Sequence, residues 1–139
     1  MQPVSTVPLL HIAEATGAHI VKDGIKTIGL LGTRFTMEED FYQSVLEERF
    51  NLQVLVPSAL DRQLVDKVIF QELCLGKIEG KSRNEYLRII ESLNDQGCEA
   101  IILGCTEISL LLRPENTDLT LYDTTAIHAE QAVLKMLEQ

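Results

Sequence analysis

Lysine and arginine are scarce in this chain. There are 12 of them against 21 aspartates and glutamates, a formal net charge of -9 over 139 residues. Nucleic acids and anionic membrane surfaces both select for clustered cations, so this balance disfavours them as partners. A small acidic ligand stays open, because a pocket can be locally positive inside an acidic protein. Cysteine is also sparse. Cys74, Cys98 and Cys105 form no Cys-x-x-Cys pair, and His11, His19 and His128 are scattered. That pattern argues against a disulfide framework and against a zinc site, and it fits a reducing cytoplasm. No apolar run approaches the roughly 20 residues that span a bilayer. Repeats and low-complexity tracts are absent, and Met1-Gln2-Pro3-Val4 does not open a basic-then-apolar signal pattern. What remains is a chain with 45% hydrophobic and 24% charged residues, enough for one globular domain with a real core.

Four short apolar runs stand out at 27–31, 52–56, 100–103 and 119–122. Three of them are rich in Val, Ile or Leu with little alternation, as strands buried on both faces of a parallel sheet are. Segments of helical period separate them. The stretch 37–50 carries Phe41, Val45, Leu46 and Phe50 on one stripe, with Thr36 and Glu39 as a capping box. The stretch 62–78 aligns Val65, Val68, Ile69, Leu73 and Ile78, and places Cys74 in the core. The stretch 83–96 turns Tyr86, Leu87, Ile90 and Leu93 inward, opens on Ser82 and Glu85, and stops at Gly97. A short helix is expected over 107–112 and a last one over 126–138. This alternation predicts an α/β fold, a four-stranded parallel sheet of order 2-1-3-4 with right-handed crossovers. Residues 1–24 stand apart, with a short helix at His11–Thr16, and read as a linker ahead of an α/β domain at 25–139.

Ligands of open parallel sheets sit beyond the carboxyl ends of the strands. The residues there are Gly32-Thr33-Arg34-Phe35-Thr36, Pro57-Ser58, Gly104-Cys105-Thr106-Glu107 and Asp123-Thr124-Thr125. Cys105 is the sharpest of them. Between a buried strand and a helix start, backbone N–H groups and the helix dipole would stabilise a thiolate able to move a proton or attack an electrophile. The alternative is a small buried hydrophobe. Thr33 and Thr36 are either helix caps or carboxylate-binding hydroxyls, roles that share one helix N-terminus. Lys77, Lys81 and Arg83 form either a solvated face or a reach toward an acidic substrate. His128 can face the strand ends. Cys98, past a helix end, reads as structural. Gly29 and Gly32 lack the third glycine of a dinucleotide fingerprint.

Taken together, these segments resemble a known family. Leu30-Leu31-Gly32-Thr33 through Thr36, Ile102-Leu103-Gly104-Cys105-Thr106-Glu107-Ile108 and Asp123-Thr124-Thr125-Ala126-Ile127-His128-Ala129 resemble, in order, the second half of aspartate/glutamate racemases. His11-Ile12-Ala13 resembles the link between that family's halves, and Glu107 favours the aspartate/glutamate group over the glutamate racemases. The resemblance implies a flavodoxin-like half and a soluble isomerase that uses neither pyridoxal phosphate nor a metal. Cys105 would be one of two acid/bases flanking the α-carbon of a small acidic amino acid, with Thr33, Thr36, Thr106 and Glu107 as substrate contacts. It also implies that the opposite acid/base lies on another half or a homo-oligomeric partner, and that this chain alone is not competent. Two other readings stay open: a non-catalytic module that binds a small acid or self-associates, and a maleate isomerase-like or hydantoin racemase-like enzyme.

Overall fold

The computed structural model describes residues 6–38, 40–105, 107–124 and 127, with the backbone alone at 6–11 and 40. Four parallel strands form one sheet: β1 (Thr27–Leu31), β2 (Gln53–Leu55), β3 (Ala100–Leu103) and β4 (Thr120–Asp123). Their order is β2-β1-β3-β4, as the sequence predicts. The register sets Leu31 beside Leu103 and Leu103 beside Asp123, so the carboxyl ends of β1, β3 and β4 finish level.

The lack of alternation in the strands has a direct cause. Ile28, Leu30, Ala100 and Ile102 enter one apolar cluster, while Leu31, Ile101 and Leu103 enter another on the opposite face. Side chains alternate along a strand, so a sheet covered on both faces must be apolar at both parities. The first cluster is completed by α1 (Thr6–Lys22) and α3 (Asp40–Phe50). The second is completed by α2 (Arg34–Glu38), α4 (Ala59–Gln71), α5 (Gly80–Asp95) and α6 (Ile108–Leu111). Right-handed crossovers to either side of β1 put α3, from the β1–β2 connection, and α4 and α5, from the β2–β3 connection, on opposite faces, while the short α2 directly after β1 packs with the second group. Each fully buried Leu or Ile removes enough apolar surface from water to contribute about 1.5–3 kcal/mol before entropy is charged.

Several elements differ from expectation. The short helix expected at 11–16 is a 17-residue helix whose Ala13, Thr16 and Ile20 are buried. Helix 37–50 divides into α2 and α3, and α2 starts at Arg34. Thr36 therefore lies inside a helix instead of capping one, and Glu39 lies outside the described residues. Helix 62–78 begins earlier and ends earlier. Ser58 caps α4 by accepting from Asp61 N at 3.4 Å, and a 3-10 turn, Leu73–Leu75, follows. Cys74 rides on that turn and is exposed, so it is not a core residue. Helix α5 starts at Gly80, one turn before the expected capping box. Ser82, already within it, donates instead to Glu72 Oε1 at 2.5 Å. Gly97 does follow the helix end, at φ 103, a conformation that favours glycine. Apart from Ile127, the helix expected at 126–138 lies outside the described residues.

Candidate active site at the strand ends

In a sheet of this order, β1 and β3 are neighbours whose connections leave in opposite directions. The crevice between their carboxyl ends is where open α/β sheets place ligands. Two glycines floor it. Gly104 N donates to Leu31 O at 2.7 Å, continuing the β1–β3 ladder past its last pair. A Cβ on Gly104 would stand 3.0 Å from Leu31 O and 3.2 Å from the Thr36 methyl, and one on Gly32 would stand 3.1 Å from Thr36 Cβ. Thr36 thus lies across both glycines, a close approach only a missing side chain permits.

The two threonines are brought together. Thr33 Oγ1 and Thr36 Oγ1 are 3.2 Å apart, and Thr33 Oγ1 also accepts from Thr36 N at 3.4 Å. The capping role therefore falls to Thr33, at the start of α2, and Thr36 lays its methyl over the crevice floor while its hydroxyl turns to Thr33. Asp66 on α4 accepts from Arg34 N at 2.7 Å, so the same helix start is held from a second side. The Arg34 side chain reaches Glu38 at 3.1 Å, and Arg62 reaches the same carboxylate at 3.3 Å.

Cys105 is half-buried and follows the parity of Ile101 and Leu103, packing against the α4–α5–α6 side. Its Sγ–H donates to Glu107 Oε2 at 2.8 Å. Burial first, and then the Glu107 carboxylate, push the thiol up to about 12. The expectation of a stabilised thiolate is corrected here. Helix α6 is a single turn starting at Ile108, and its weak N-terminal field is outweighed by desolvation and an adjacent anion.

A cavity of about 100 Å³ opens on the other side of the same crevice, over Gly104, lined by Ile12, Phe35, Thr36, Phe41, Tyr42, Gly104 and Thr124. Thr124 is anchored by its hydroxyl, which donates to Leu103 O at 3.1 Å. Tyr42 is 5% exposed, and its hydroxyl has no hydrogen-bond partner among the described residues. Thr16, beside it, gives its own proton to Ile12 O at 2.7 Å. A larger hollow of about 230 Å³ lies away from this edge, between the outer face of α5 and the loop before β4, with Glu91, Glu115 and Asp118 in its wall. The smaller cavity is the better candidate for chemistry, because it shares Gly104 and Thr36 with the crevice that holds Cys105.

Of the residues expected from sequence, Thr33 and Thr36 meet each other, and Cys105 meets Glu107. The two pairs stand on either side of Gly104 with no hydrogen bond between them among those described. Thr106 and His128 lie outside the described residues, and for His11 only the backbone is described. His19, in the last turn of α1, is at the opposite edge of the sheet. Arg83 is used in the fold, donating to Leu111 O at 2.8 Å, while Lys77 and Lys81 are exposed. Tyr42 was not anticipated at all. It neighbours the expected stripe position Phe41, and no sequence signal distinguishes a cavity wall from a core position.

The profile of the Asp/Glu/hydantoin racemase family matches residues 1–132. The chain belongs to that family. A solved structure from Yersinia pestis, described as a candidate Asp/Glu racemase, is 48% identical over 92% of this racemase-family chain, with a TM-score of 0.88. An aspartate racemase homologue from Pyrococcus horikoshii OT3 is 32% identical over 92% of the chain, with a TM-score of 0.82. An aspartate racemase from Picrophilus torridus shares the fold at 20% identity and a TM-score of 0.68. The chain spans about half the length of the first two, 56% and 55%.

Proposed function

We propose that this chain forms one wall of a cofactor-independent amino-acid racemase, with Cys105 moving a proton at the α-carbon of a small acidic amino acid such as aspartate or glutamate. The observation that carries the reading is the half-buried Cys105 thiol at the carboxyl end of β3, donating to Glu107 at 2.8 Å within the β1–β3 crevice. Family membership and the relatives' names supply the reaction class.

In the reaction, the Cα–H bond breaks, its proton passes to a base on one face, and the electron pair is held by the neighbouring carboxylate. A new C–H bond then forms with a proton delivered from the other face. A thiol held up near 12 is the proton-delivering partner at neutral pH. In the reverse direction it must accept a proton. There the substrate ammonium, drawn to Glu107, offsets the anion that opposes thiolate formation. The hydroxyls of Thr33 and Thr36, with Thr106, are assigned to the substrate carboxylate.

Inversion needs a second acid/base facing the first. Cys98, buried just before β3, is at the wrong edge, and Cys74 is on an exposed turn. The second group is assigned to another wall facing the strand ends, on the same polypeptide or on a partner chain. Phe35, Leu60 and Leu110 support such a wall. They stand in the first turns after β1, β2 and β3, and are 67%, 77% and 53% exposed. Apolar side chains gathered at one edge are what a covering surface buries.

The test is solvent exchange with both walls present. In D2O, deuterium should enter the α-position of aspartate or glutamate, starting from either enantiomer. Uptake by neither would reject the assignment to acidic amino acids.

A further inference from the structure

The cavity over Gly104 has a chemistry that an acidic side chain does not suit. None of its lining residues among those described is charged. Ile12, Phe35, Phe41 and the Tyr42 ring supply most of the wall, and the polar groups are hydroxyls. Thr124 already gives its proton to Leu103 O, and the Thr36 hydroxyl is paired with Thr33. The Arg34 guanidinium, beside Phe35 in sequence, is held by Glu38 at 3.1 Å. A carboxylate pushed into this space would lose its hydration with no charged side chain among the described lining residues to replace it. An alkyl group would lose nothing and would gain contact with these four apolar or aromatic side chains. An apolar cavity of about 150 Å³ is known to take up benzene, so about 100 Å³ suits a smaller, branched alkyl group.

The cavity also sits where a side chain would point. Gly104 is its floor and the residue before Cys105, and Thr36 belongs to both the cavity and the hydroxyl pair. A carboxylate resting on Thr33 and Thr36 therefore has an apolar recess beside it and the thiol across Gly104.

We propose that this cavity is a side-chain pocket for a small branched alkyl group, which extends the site to carboxylic acids whose α-carbon carries such a group. The proposal builds on the racemase reading, but it is tested by binding alone, so each can fail without the other. The 139-residue chain is titrated with isovalerate and, separately, with succinate, following the NMR signals of Gly104, Thr36 and Thr124. Isovalerate should shift these signals and bind about tenfold more tightly than succinate, the ratio expected from burying one or two methyl-sized groups. Ile12→Phe, which fills the recess, should abolish the isovalerate shifts. Ile12→Ala, which enlarges it, should let the longer isocaproate bind at least as well as isovalerate, so the outcome does not hang on one variant folding. Tighter binding of succinate overturns the proposal. So does the absence of shifts with isovalerate, or an affinity for it unchanged in both Ile12 variants.

Discussion

Cys105 is held as a neutral thiol by two neighbours of different kinds. Burial penalises the thiolate, and the Glu107 carboxylate takes the thiol proton as a hydrogen bond. With the thiol raised to about 12 against roughly 8.5 for an ordinary cysteine, its thiolate fraction at neutral pH falls on the order of a thousandfold. Alkylation by iodoacetamide should therefore mark exposed Cys74 first, Cys105 far more slowly, and buried Cys98 only on unfolding. Glu107→Gln removes the anion and should speed labelling of Cys105. An unchanged rate would mean that burial alone sets the thiol. The sign for stability follows from the same shift. The folded-state value is the higher one, so the contribution is complete below roughly pH 8.5 and is lost as pH rises toward about 12. Tyr42 presents the opposite case, a buried hydroxyl without a geometric hydrogen-bond partner among the described residues, Thr16 being its polar neighbour. Tyr42→Phe should leave stability unchanged or raise it by up to ~1 kcal/mol in denaturant melts. A loss of more than ~1 kcal/mol would show that the hydroxyl is bonded in solution.

Helices α1 and α3 approach closely because Gly17 has no side chain. A Cβ there would fall 2.4 Å from Phe50 Cδ2 and 2.9 Å from its Cγ, so the body of the ring would have to move. Alanine is the better helix former by about 1 kcal/mol, yet Gly17→Ala should destabilise, because overpacking costs typically 1–3 kcal/mol. A higher melting temperature in Gly17→Ala would show that the ring yields easily. At this scale the apolar runs and their helical intervals were legible, since burial on both faces leaves a compositional trace in Ile28, Leu30, Leu31 and Ile101–Leu103. Helix starts were not. Thr36–Glu39 and Ser82–Glu85 both carry the capping spacing, but tertiary partners decided the outcome. Asp66 holds the start of α2 at Arg34, and Glu72 takes the Ser82 hydroxyl. Nor did the period reveal that the helix from 59 stops at Gln71, where Glu72 leaves helical geometry and a 3-10 turn follows that buries Leu73 and exposes Cys74 and Leu75.

At the scale of the molecule, strand order decides where chemistry can happen. The reversal between β1 and β3 puts Gly32-Thr33 and Gly104-Cys105 side by side, although they are far apart in sequence. That juxtaposition was legible, because parallel strands with right-handed crossovers allow few orders. The split of the site was not. Strand parity sends Cys105 to the α4–α5–α6 side, while the cavity opens between α1 and α3, and only three-dimensional packing reveals that Ile12 and Tyr42 wall it. Turnover across the β1–β3 crevice depends on the sulfur of Cys105 as a proton carrier, as proposed above. The most direct measurement is racemisation of aspartate and glutamate by a protein that contains both walls, with and without Cys105→Ala. Loss of that acid/base should lower the rate by about 10²–10⁴-fold with the fold intact by circular dichroism. A Cys105→Ala protein that racemises at the parent rate would contradict it.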